Sequence, residues 1–206
     1  MISVLSTRWW TPTKQTQFRL TPIPARAIPL TFGRRRANAR HANLNLMQLS
    51  DLFLGLGQDT FPHLLRGISM GKLRTFQLFD RVKTRFHLAK LNQESLRKAA
   101  PRLWTRIEAR EEELASDLSQ AILISHMDLI VAVLNFLGVP HTDGFFEKDA
   151  QLAEKLSGDW QQRAYDQWKS AYPEHILVFY LNHLAREVNP EGAIFKPAGQ
   201  PAGVGG

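Results

Sequence analysis

The chain has 206 residues, no cysteine and a formal net charge of +7, from 26 Lys and Arg against 19 Asp and Glu. That length suits one domain with tails, large enough to bury a core without a metal or disulfide staple. The lack of cysteine excludes disulfides, thiolate metal sites, iron–sulfur clusters and cysteine nucleophiles, and it fits a reducing compartment, so a cytoplasmic protein is expected.

The total charge hides a division. Residues 1–50 hold eight Lys or Arg and no acid, residues 66–106 hold eleven against Asp80 and Glu94, and residues 107–206 hold seven against fifteen acids. The basic character lies in two blocks, and the C-terminal half is acidic.

Residues 1–46 contain Pro12, Pro22, Pro24 and Pro29, the Trp9-Trp10 pair and the run Arg34-Arg35-Arg36, with no sustained apolar period. A disordered basic extension is predicted there. Three origins stand open: an upstream extension from a misplaced start, since Met47 directly precedes the first apolar-periodic segment; a targeting segment; or a nucleic-acid-binding arm. The apolar run Ile2 to Leu5 is too short for a secretory signal.

From Met47 the period turns helical. Leu49, Leu52, Phe53 and Leu56 share one side of a first helix, and Pro62 fits the first turn of a second, capped by Asp59 or Thr60. The segment Lys72 to Lys90 predicts one helix whose apolar arc holds Phe79, Val82, Phe86 and Ala89. Arg74, Arg81 and Arg85 then fall on one edge of that arc, and Lys72, Lys83 and Lys90 on the other. Asn92 is a candidate N-cap for a helix through Ala100, with a break or kink before Pro101 because the residue before a proline avoids the α region.

Helical spacing runs from Arg102 to Leu137, with a bend expected near Ser116-Asp117. Within it, Leu118 to Leu137 is apolar on every side and predicts a soluble buried core helix; His126 and Asp128 would sit at mid-depth in a membrane span. Gly138 and Val139-Pro140 end it. Further helices are predicted at Phe145–Leu156, at Trp160–Tyr172 behind Asp159, and from Pro173 to Val188, where Ile176, Leu177, Tyr180, Leu181 and Leu184 point inward. The Gly-, Pro- and Ala-rich stretch 190–206 predicts a disordered tail. The fold expected is all-α: a single bundle-like domain of seven or eight helices over 47–189, packed around Leu118–Leu137, with disordered ends.

No glycine-rich phosphate loop, dinucleotide fingerprint or Gly-x-Ser-x-Gly elbow is present, which lowers an enzyme reading. His126-Met127-Asp128 and His141-Thr142-Asp143 both read His-x-Asp, and Glu147 lies near, so His126, His141, Asp143 and Glu147 are weak metal or acid–base candidates. Residues two apart on a helix point about 200° from each other, so His126 and Asp128 do not face one ion, and Asp143 reads more simply as a cap for the next helix. His175, His183 and Glu187 form a polar column on the last helix without metalloprotease spacing, and Trp160 and Trp168 read as core rather than base-stacking platforms. The leading functional reading is a non-enzymatic binding or interaction module with no cofactor, whose partner is a protein or an anionic polymer such as nucleic acid. Lys72, Arg74, Arg81, Lys83, Arg85 and Lys90 are its anion-binding candidates. The alternatives are the metal or acid–base enzyme named above and a peripheral membrane-surface binder acting through Lys72–Lys90, in either case without a transmembrane segment.

Overall fold

The computed structural model describes residues 47–146 and 150–197. Residues 1–46 and 198–206 lie outside the described residues, as does Glu147; of the tail expected to be disordered over 190–206, residues 190–197 instead lie against the helices, the Pro190 carbonyl accepting the Met47 N–H and Phe195 bonded through its main chain to Asn182. Ten α-helices and no strand occur among the described residues: α1 Leu49–Leu56, α2 Phe61–Arg66, α3 Met70–Thr75, α4 Phe79–Arg85, α5 Gln93–Glu108, α6 Glu112–Ser125, α7 Met127–Phe136, α8 Ala150–Lys155, α9 Trp160–Trp168 and α10 Glu174–Val188. The all-α expectation holds, with more and shorter helices than the seven or eight predicted.

α6 packs against α1, α3, α4, α5 and α7. Leu118, Ala121, Ile122, Ile124, Leu129, Ile130, Val133 and Leu134, on α6 and α7, are all buried, so the stretch read as central is central. A second organiser crosses it. Rings from α10, α1, α2 and α5 form a chain, Phe179 to Phe53 at 5.3 Å, Phe53 edge-on to Phe61 at 5.9 Å, and Phe61 to Trp104 at 5.3 Å. Phe53, Phe61 and Phe179 are fully buried, so each contributes the full transfer free energy of a large apolar side chain as well as its ring contacts.

Helix starts follow local chemistry. Pro62 lies in the first turn of α2, and Asn92 caps α5 by accepting the Ser95 N–H at 2.8 Å while Ser95 Oγ accepts the Asn92 N–H at 2.9 Å. At α1 the Gln48 N–H donates to Asp51 at 3.0 Å, and the next two orphan donors, the N–H groups of Leu49 and Ser50, reach the Glu112 carboxylate at 3.0 and 3.1 Å. The cap of α1 is therefore completed by the first residue of α6.

Helix ends depart from expectation. The predicted helix over 72–90 is two, because Gln77 takes a left-handed conformation (φ 56°) and the Leu78 N–H closes on the Leu73 carbonyl at 2.8 Å. Ten residues on, His87 (φ 51°) repeats the device and the Leu88 N–H reaches the Lys83 carbonyl at 3.1 Å. Leu73 and Leu78 are both buried, although on one straight helix they would point about 140° apart; the turn resolves that conflict. Arg110 (φ 59°) makes a third such end, closed by Glu111 N–H to Arg106 carbonyl at 3.2 Å, so the bend expected at Ser116-Asp117 falls instead between α5 and α6.

A second break, at His126, divides the predicted core helix, and α6 and α7 meet at 78°. There Ser125 Oγ turns back to the Ala121 carbonyl at 2.6 Å and also accepts the Ser69 N–H at 2.8 Å, which draws the helix end toward α3. By contrast, the expected break before Pro101 is absent. α5 runs through it, with Pro101 and Arg97, whose carbonyl loses its donor, both on the solvent-exposed face.

Asp143 does not cap a helix. Asp143 and Gly144 (φ 51° and 87°) are the centre of a tight turn in which the Thr142 and Phe145 main chains exchange bonds of 2.8 and 2.9 Å. The helix expected from Phe145 is seen from Ala150 onward as α8, and the one expected to reach Tyr172 ends as α9 at Trp168. Among the described residues no single helix is long and apolar enough to cross a membrane; α6 and α7 pass together by length and composition but are bent.

Candidate anion-binding surface

The two short helices α3 and α4 carry all the basic candidates except Lys90, which lies in the turn before α5. Their split alters the expected columns. Arg81 and Arg85 stay one turn apart on α4 and face α6, where the nearly buried Asp117 accepts from Arg81 Nε at 3.1 Å and Arg85 Nε at 2.9 Å. Arg81 also bonds Gln120, and Arg85 pairs with Glu113. The hydrogen bonds to Asp117 and then to Glu113 raise the Arg85 pKa, so its charge is fixed. Arg74, expected in the same column, sits apart with its guanidinium 4.2 Å from the centre of the Phe79 ring.

The C-terminal end of α4 uses two more cations. Arg102 donates to the Phe86 carbonyl at 2.7 Å, and Arg106 donates to the Arg85 carbonyl at 3.0 Å, satisfying groups a helix end leaves open. Arg106 also pairs with Glu111 at 2.6 Å, and that hydrogen bond lowers the Glu111 pKa against the opposing effect of burial. Asp80, Arg81, Thr84, Arg85, His87 and Arg106 line an open cleft of about 520 Å³.

The basic candidates therefore sort into two kinds. Arg81 and Arg85 are spent on the acidic α6, whereas Lys72, Arg74, Lys83 and Lys90 form no ion pair among the described residues. The described residues hold 17 Lys and Arg against 17 Asp and Glu, so any attraction for a polyanion is local to this face.

The histidine candidates separate. His141 Nδ1 accepts the Gly144 N–H at 3.2 Å and its Nε2 lies 3.3 Å from Asn135 Oδ1, so it holds its own turn together. His126 instead packs against Gly67, where a Cβ would stand 2.7 Å from Nε2, and that nitrogen is buried without a partner. Asp143 lies exposed beside His141 in the turn. Among the described residues no group of three His, Asp or Glu is placed to hold a metal.

His126 joins an assembly that no spacing along the chain announces. The rings of His63 and His175 lie 5.5 Å apart beside a 200 Å³ recess lined also by Thr60, Glu174 and Val178. Burial lowers the pKa of His175, and the nearby charges of His63, His126 and Arg66 lower it further. Burial likewise lowers that of His126, against the opposing charge of Asp128. His183 stacks 6.2 Å from Phe179, and Glu187 pairs with Arg186 at 3.1 Å. Trp160 is buried, and Trp168 lies edge-on to Tyr172 at 5.9 Å, in keeping with core roles.

No protein-family model, no curated protein and no solved structure matches this chain, so its own geometry carries the functional reading.

Proposed function

We propose that the chain is a non-enzymatic helical binding module that meets an anionic partner, a nucleic acid in the first instance, through Lys72, Arg74, Lys83 and Lys90, with Arg81 and Arg85 serving the fold. The observation that carries this reading is the division of one basic segment into cations neutralised by α6 and cations with no ion pair among the described residues. A cation already paired in a protein gives up that pairing to bind a phosphate, whereas an unpaired one gives up only water and releases the polymer's counterions.

A salt titration of DNA or RNA binding tests it. Replacing Lys72, Arg74, Lys83 and Lys90 together with Gln should abolish retention on an anionic matrix and flatten the salt dependence, by up to about 0.9 for each phosphate no longer neutralised. Arg81→Gln with Arg85→Gln should lower the melting temperature and leave that slope in place. Retention unchanged by the fourfold replacement would overturn the assignment. Capture by anionic vesicles that nucleic acid does not compete away would move the same four residues to a membrane surface.

A further inference from the structure

The left-handed ends of α3 and α4 are built alike, and the residue they treat differently is aromatic. Each has a phenylalanine at the helix C-cap, then the left-handed residue, then a leucine: Phe76-Gln77-Leu78 after α3 and Phe86-His87-Leu88 after α4. Phe86 is fully buried, whereas Phe76 is 38% exposed. The end of α3 does not need the ring there. The Gln77 N–H closes on the Arg74 carbonyl at 3.0 Å and the Leu78 N–H on that of Leu73, and the apolar residues that accompany such an end, Leu73 and Leu78, are both in the core. A ring left this far in water forgoes part of the transfer free energy that Phe86 gains.

What surrounds Phe76 is positive charge. Lys72 lies one turn before it on α3, its carbonyl accepting the Phe76 N–H at 3.0 Å, so the two side chains share a face with Cβ atoms about 5–6 Å apart. Three residues on, the half-buried Phe79 carries the exposed Arg74 guanidinium over its ring, and Lys83 follows Phe79 by one turn of α4. Asp80, the one acid between Lys72 and Lys90, lines the cleft of Arg81 and Arg85. Unpaired cations and rings are thus interleaved from Lys72 to Lys83.

A nucleic acid brings phosphates and bases to such a surface. In a duplex the base faces are covered by their neighbours, whereas the bases of a single strand are free to stack on an exposed ring. We propose that the basic face takes single-stranded nucleic acid, with one base stacked on Phe76, an adjoining phosphate held by Lys72, and Arg74, Lys83 and Lys90 meeting the rest of the backbone. This deepens the reading of those four cations as a nucleic-acid face and rests on it. Every base has a π-face, so Phe76 selects strand form rather than sequence. A bilayer fits less well, because one exposed ring among these cations offers little apolar area to bury among acyl chains.

The test compares binding of the full chain to a labelled mixed-sequence oligonucleotide and to its duplex at matched salt. Phe76→Leu keeps an apolar side chain and removes the π-face. It should weaken single-strand binding by about tenfold while the duplex affinity and the salt slope stay as they are, and Phe76→Trp should restore the lost affinity. Weakening of both strand forms alike overturns the proposal. If Phe76→Leu changes nothing while the fourfold cation replacement abolishes binding, the stacking assignment falls and the basic face stands; if the unaltered chain retains neither strand form, both fall. Weakened capture by anionic vesicles with oligonucleotide binding intact places the ring in a bilayer and also overturns it.

Should Phe76→Leu not fold, a strand carrying 5-iodouracil decides with the unaltered chain, since near-ultraviolet light joins that base to an aromatic ring stacked on it. A cross-link mapped to Phe76 supports the proposal. Cross-links confined to other residues, or none from a strand that binds, overturn it.

Discussion

A histidine buried without a partner for Nε2 resists protonation, and His126 is in that position against Gly67. Its folded pKa lies below the ordinary value of 6.5, as does that of His175, so the unfolded chain binds more protons in the window just below pH 6.5. Stability is then complete above that window and falls as pH drops through it. The groups facing the pair are His63 and Arg66 from α2, Asp128 from α7 and Glu174 beside His175 on α10; the Asp128 carboxylate softens the effect at His126 and does not reverse it. The urea midpoint should fall between pH 7.5 and pH 5.5, and His126→Gln should flatten that dependence; an unchanged slope in the variant would place the effect elsewhere. None of this was legible in the sequence, because residues 63, 126 and 175 meet only through packing of α2, the α6–α7 break and α10. What could be read was that His126 and Asp128 do not serve one ion.

Elements were legible at their starts and obscure at their ends. Pro62, Asn92 and Pro173 announce helices through chemistry confined to a few residues, and each stands where that chemistry places it. The stops at Gln77, His87 and Arg110 use a backbone conformation that composition signals only when glycine or asparagine supplies it. A left-handed conformation costs a residue with a side chain about 1 kcal/mol or more. Gln77→Gly should therefore stabilise the protein by about 0.5–1 kcal/mol in urea denaturation, whereas Gln77→Val, β-branched, should destabilise it by about 1–2 kcal/mol. Pro101→Ala restores a donor for the Arg97 carbonyl inside α5 and should add about 1–3 kcal/mol. If Pro101→Ala proves neutral, water already serves that carbonyl as well as an amide would. The basic columns misled for the same reason as the helix ends: a helical wheel drawn through Gln77 joins Arg74 to Arg81 and Arg85 across a turn that separates them.

At the scale of the molecule, part of the charge division along the chain is resolved across the contact of α4 and α5 with α6 and the residue before it. Arg81, Arg85 and Arg106 meet Asp117, Glu113 and Glu111, so the basic and acidic halves are partners, and pairing in sequence blocks becomes pairing between layers. The burial of the 118–137 stretch was legible because apolar residues on every side of a helix have no other stable location in water. The ring chain through Phe53 was not, since four helices contribute one aromatic each. Phe53→Ala, at its centre, should cost about 3–5 kcal/mol and is the severest single truncation expected here, measurable by chemical denaturation. Removing residues 1–46 takes away eight cations and no acid, and with no amphipathic pattern in that stretch the chain beginning at Met47 should melt at the full-length temperature; a drop of several degrees would show that it packs.

The completion of α1 has a consequence for synthesis. Its amide groups bond to Glu112, 63 residues away, and the chain leading into it is held by Arg186, which donates to the Met47 carbonyl at 2.8 Å across 139 residues, and by the Pro190 carbonyl, which accepts the Met47 N–H at 2.7 Å. At about 5–20 residues per second, a ribosome takes on the order of 7–30 s to travel from the codon for Met47 to that for Arg186. Until Glu112 is made, less than half of that interval, α1 waits with its capping groups unmet, and for nearly all of it Phe53 lacks the Phe179 ring and Met47 its partners beyond α9. Among the described residues, the first helix made is thus held by contacts that close only as the last one is made, and until then it stands open to chaperones and proteases.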